Sequence, residues 1–171
     1  MSPLHPAIVH FPIGLTIASV IADTAAAATG WSSLASAGAW MVLGAAAGVT
    51  VAVAAGYYDM KRDSLCEETH RLVHLHLRFG WVILIGLWIL TAWRWLGAQS
   101  DAPTDIAYLI LAWVLAGLVG FQGWFGGEMV YGHGAGVAPV GQGQQPPETA
   151  KRPSLRIYHF LMRRPAQSED R

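Results

Sequence analysis

The sequence predicts an all-α integral membrane protein, a bundle of four transmembrane helices. The chain of 171 residues is 53% hydrophobic and 13% charged, against about 25% charged for an ordinary soluble domain. Four apolar segments each approach the roughly 20 residues needed to cross a bilayer core. Their middles carry no polar face, and alanine, leucine and glycine outnumber β-branched residues, which favours helices over strands.

The first helix is expected over about 11–29. Pro12 suits its first turn, where a missing N–H costs nothing. The small-residue run from Thr24 to Thr29 resembles a cleavage region, but no Lys or Arg precedes Lys61, so a cleaved signal peptide is not expected. The second helix is expected over about 34–58. Its Gly44, Gly48, Ala52 and Gly56 recur every four residues and form a smooth stripe. Such a stripe suits close helix packing or association of copies, and equally a groove for a flat macrocycle. The third helix is expected over about 72–96 and the fourth over about 106–125. Residues 101–105 supply capping chemistry for the fourth, and Gly126-Gly127 is expected to end it. Ala112, Ala116 and Gly120 give it a small-residue face of its own.

Four spans make one domain over 1–137. The Gly-, Gln- and Pro-rich stretch 138–152 reads as a flexible linker. Residues 153–164 read as a basic interfacial helix, and 165–171 as a disordered tail. The topology puts Lys61, Arg62, Arg71, Arg78, Lys151, Arg152, Arg156, Arg163, Arg164 and Arg171 on one side, and only Arg94 on the other. The positive-inside rule then predicts a bacterial inner-membrane protein with both termini cytoplasmic. Trp31, Trp93 and Trp95 are expected as the outer aromatic belt.

Several function classes are excluded or unsupported. The net charge is zero, so no basic field attracts nucleic acid. Cys66 is the only cysteine, so neither an internal disulfide nor a thiolate pair is available. No nucleophile constellation or phosphate loop occurs, and no enzymatic activity is expected.

The chemistry is concentrated in histidine. All seven histidines fall on the positively charged side: His5, His10, His70, His74, His76, His133 and His159. His70 and His74 share a helix face. His74 and His76 lie about 200° apart on a helix, so only one of them faces the bundle. Facing imidazoles hold haem iron or Zn, Cu and Fe ions. The candidate cofactor set is His5, His10, His74, His76, His133 and Glu128, with His10, His74, His76 and His133 as metal ligands. Glu67 and Glu68 are further donors. The expected cofactor is b-type haem held by His10 and one of His74 or His76, with His133 and Glu128 orienting them. The function would be electron transfer or redox sensing with a redox partner. The alternatives are a cofactor-free membrane scaffold or partner-binding protein, or a divalent-metal or proton-linked carrier, which at this size would form a homo-oligomer. In the last case Asp23 would matter. It lies about 20 Å along the first helix from His10, on a different face. An intramembrane acid is a functional candidate and equally a structural partner for a nearby donor.

Two stretches carry a family resemblance. The opening Leu4-His5-Pro6-Ala7-Ile8-Val9-His10-Phe11-Pro12-Ile13-Gly14-Leu15 matches LHPxxVHFPIGL. The close Gly126-Gly127-Glu128-Met129-Val130-Tyr131-Gly132-His133-Gly134-Ala135-Gly136-Val137 is similar to GGELVYxHGxGV. Asp23 and the Val73-His74-Leu75-His76 segment match an acid in the first helix and a histidine early in the third. Residues 4–137 thus resemble the bacterial membrane domain of unknown function numbered 2231. The resemblance implies a four-helix membrane domain whose histidines are similar to those of b-type membrane cytochromes.

Overall fold

The structure is a computed structural model that describes residues 4–62, 67–96 and 105–133. These residues form five helices: α1 (Leu4–Ile8), α2 (His10–Thr29), α3 (Ser32–Arg62), α4 (Glu67–Leu96) and α5 (Ile106–His133). No strand occurs among them. Four helices are long and apolar enough to cross a membrane. The expected 138–152 linker, 153–164 helix and 165–171 tail lie outside the described residues, as do Cys66 and most of the 101–105 cap.

The helices are longer than their apolar runs. α3 has 31 residues and α4 has 30, or about 45 Å at 1.5 Å per residue. Both therefore outreach the roughly 30 Å hydrocarbon core. Polar ends such as Asp59–Arg62 are helical because the helix continues into the headgroup layer, where a run of apolar residues gives no signal. The same reason corrects the expected end of the fourth helix. Gly126-Gly127 does not stop it, and α5 runs on to His133. His5 sits on the short helical turn α1. Val9 keeps αR dihedrals, so the chain passes from α1 into α2 almost without a break.

Termini follow ordinary capping chemistry. α2 ends at Gly30, whose φ of 74° lies in the left-handed region and whose N–H reaches the Ala26 carbonyl at 2.8 Å. That position favours glycine. Asp105 caps α5 by accepting the Tyr108 N–H at 2.7 Å.

α2, α3, α4 and α5 pack in a closed ring, each against the next, with α1 lying on α3. Their shared core holds Val20, Val42, Ala46, Leu87, Leu90 and Leu115. The glycine stripe of α3 is used inside this ring. A Cβ at Gly44 would meet Leu15 at 3.0 Å, one at Gly48 would meet Pro12 at 3.1 Å, and one at Gly56 would meet His5 at 3.0 Å. The stripe is therefore filled by α2 and α1, and is neither a macrocycle groove nor an outward oligomer face. The second small-residue face is split: Ala112 is buried, whereas nothing approaches a Cβ at Gly120. Large apolar side chains such as Phe11, Ile21, Ile85, Ile110 and Val114 point outward, as a lipid-facing surface requires.

Candidate functional site

Two polar clusters occupy opposite ends of the bundle. The first is built on Asp23, which sits on the buried face of α2 and is fully buried. Arg94 from α4 brings Nη2 to 3.4 Å from Asp23 Oδ1. Tyr108 from α5 donates its hydroxyl to Asp23 Oδ2 at 3.2 Å. α3 contributes backbone: Arg94 Nη2 donates to the Ala35 carbonyl at 2.9 Å. Gly38 of α3 lies against the carboxyl, and a Cβ there would collide with it. The Arg94 guanidinium also lies 5.9 Å from the Tyr108 ring centroid, a favourable cation–π distance. All four spanning helices thus meet at one carboxylate. Oδ1 is held by charge and accepts no hydrogen bond.

The second cluster is built on His5 and His76. His5 Nδ1 lies 2.7 Å from the Ala52 carbonyl. A carbonyl only accepts, so Nδ1 carries a proton. The His5 backbone N–H donates to Asp59 Oδ2 at 3.0 Å. The His5 and His76 rings meet edge to face with centroids 5.8 Å apart. Gln122 of α5 donates Nε2 to the His76 carbonyl at 2.7 Å. A Cβ at Gly126 would come within 3.2 Å of His76 Cε1, so this glycine lets α5 close on the ring. His76 Nδ1 and Gln122 Oε1 are buried and have no hydrogen-bond partner. Buried polar atoms of this kind mark a strain reservoir, a functional role, or a water or ion.

The remaining candidates are elsewhere. His10 is exposed, and its Nδ1 sits 3.0 Å from the Pro6 carbonyl one turn back. His70 and His74 are exposed and stack on one another at 4.4 Å. His76, not His74, faces the bundle. Glu128 is half-buried and engaged with a neighbour. The His133 side chain, Glu67, Glu68 and His159 lie outside the residues whose side chains are described. The geometry therefore brings together His5 and His76 from the expected set, but not His10 with His74 or His76. Among the described residues no three His, Cys, Asp or Glu side chains form a metal-holding group. A macrocycle would need a wide slot between the two rings. Gly56, Gly126 and Phe125, the last 5.8 Å from His76, close on them instead.

Four participants were missed in the sequence: Arg94, Tyr108, Gln122 and Asp59. One signal could have found Arg94. It and Asp23 are the only charged residues in the helices at their end of the bundle, and opposite charges in an apolar environment pair.

Chemically, the chain offers a carboxyl, a guanidinium and a phenol at one end, and two imidazoles and an amide at the other. Between them the buried face of α2 carries Thr16 and Ser19. No curated protein and no solved structure matches the chain. A family model does, over residues 1–139. The helical ring, its spans and that match agree: the chain belongs to the family described as "Predicted membrane protein (DUF2231)".

Proposed function

We propose that the chain is a non-enzymatic, proton-linked membrane protein, with His5/His76 and Asp23/Arg94/Tyr108 as proton-holding stations at opposite ends of the bundle. The observation that carries this reading is the fully buried Asp23 of α2, held by Arg94 of α4 and Tyr108 of α5 and packed against Gly38 of α3. Intramembrane ionisable groups are expensive and mark ion and proton routes. Thr16, Ser19 and Asp23 recur at helical spacing on one buried face of α2. Ala52 lies beside His5 and Gly38 beside Asp23. Fourteen residues of α3 therefore separate the stations, about 21 Å at 1.5 Å per residue. The hydroxyls lie within that interval. The ten-to-one distribution of Lys and Arg supports a bacterial inner membrane with cytoplasmic termini and the histidine station inside.

The test is proton uptake by liposomes containing the purified protein, driven by a potassium diffusion potential and read with an entrapped pH dye. Protein-containing vesicles are expected to change pH faster than empty ones. Equal rates would overturn the reading.

One observation favours a second reading, a transition-metal ion bound between His5 and His76. A metal-ligating histidine commonly fixes its other ring nitrogen on a carbonyl, as His5 does on Ala52. Elemental analysis of the purified protein tests it, with a stoichiometric metal expected and a metal-free protein contradicting it. Haem at the same pair would require the rings to part and α5 to withdraw. An absorption spectrum without a Soret band after haem supplementation removes that variant.

A further inference from the structure

A groove of about 400 Å³ runs along the outer surface where α3 and α4 pack. Val53, Ala54 and Tyr57 form one wall and Trp81, Leu84 and Trp88 the other. It exists because small side chains at Ala54 and Thr50 lie opposite two tryptophans set two turns apart. At one end Trp88 Nε1 donates to Thr50 Oγ1 at 3.1 Å and closes the groove. At the other end its character changes. Lys61 continues the Val53–Tyr57 face one turn further, and its Nζ sits 4.5 Å from the Tyr57 ring centroid. Arg78 is exposed and lies one turn before Trp81 on the opposite wall. An apolar slot thus has Lys61 beyond its open end and the exposed Arg78 one turn before Trp81.

We infer that this groove is a binding site for one anionic phospholipid, with an acyl chain between Trp81 and Trp88 and the headgroup phosphate between Lys61 and Arg78. Basic pockets between spanning helices select anionic headgroups. The tryptophans and Tyr57 are suited to the chain and its interfacial ester region. Charge also decides against a second copy of the protein. A two-fold interface sets the same patch against itself, so Lys61 and Arg78 would meet their own counterparts in an apolar setting. The lipid supplies the opposite charge instead.

The experiment is native mass spectrometry of the full chain in mild detergent with dioleoyl phosphatidylglycerol or dioleoyl phosphatidylcholine. One phosphatidylglycerol is expected to bind in preference to phosphatidylcholine. The double variant Lys61→Gln/Arg78→Gln is expected to lose that preference by about 25-fold, taking about fivefold for each cation. Ala54→Trp fills the groove and is expected to lose both lipids. Ala54, Lys61 and Arg78 are exposed, so these variants leave the core intact, which melting temperature checks. Equal binding of the two lipids would overturn the inference. So would undiminished binding by Ala54→Trp, or a groove variant that changes oligomeric state while lipid binding stays the same.

Discussion

The two ends of the bundle solve the same problem differently. At the Asp23 end, Arg94 and Tyr108 hold one carboxylate and Arg94 also donates to the Ala35 carbonyl of α3, while Asp23 Oδ1 is held by charge and accepts no hydrogen bond. At the His76 end, two rings are held in place through His5 and through the backbone, while His76 Nδ1 and Gln122 Oε1 face no partner. The first arrangement ties helices together. The second leaves His76 Nδ1 and Gln122 Oε1 buried without hydrogen bonds, at a cost in stability. Stability should therefore be concentrated at the carboxylate end, where opposite charges tie α2 to α4.

Substitutions can break this contrast. Arg94→Ala should do the most damage, because it strands the Asp23 charge in the bundle. Removing one partner of a buried pair costs about 3–5 kcal/mol. The check is thermal unfolding in detergent, and the companion variant Asp23→Asn/Arg94→Met should recover much of the loss. Gly38→Ala comes next. Its Cβ would occupy the place of the Asp23 carboxyl, and overpacking of this kind costs about 1–3 kcal/mol. Tyr108→Phe removes only the phenolic donor, with an expected cost of about 1.5–3 kcal/mol for a hydrogen bond to a charged group. It should leave helix content in circular dichroism unchanged. At the other end His76→Phe should cost under about 1 kcal/mol or even stabilise, because the buried Nδ1 it removes makes no hydrogen bond to lose. A loss at His76 as large as that at Arg94 would erase the distinction between the ends.

The fold was legible because a membrane helix announces itself by length and apolarity, and both signals were strong from Phe11 to Phe125. Helix ends were less legible. Gly126 looked like a stop, yet it serves as the thin place in α5 where His76 fits. Glycine in a membrane helix more often marks close approach than termination. The site was partly legible. Histidine clustering pointed to one end of the bundle, where the structure brings His5 and His76 of the expected set together. The choice of His76 over His74, and the turning out of His10, could not be read from spacing. Lipid-facing and core-facing positions are equally apolar, so periodicity does not separate inside from outside here. The α3 stripe was legible as helix packing, but its partners, α2 and α1, depended on the order of the helices. Tyr108 carried no signal as an Asp23 ligand, since the link spans 85 residues.

The most direct test of a route joining the two ends is proton uptake by liposomes holding wild-type protein, Asp23→Asn or His76→Phe, each confirmed folded by its melting temperature. Stations in series predict that wild-type vesicles exceed empty ones and that either substitution alone returns the rate to the empty-vesicle level. A wild-type rate no faster than empty vesicles, or a rate that survives both substitutions, would contradict it.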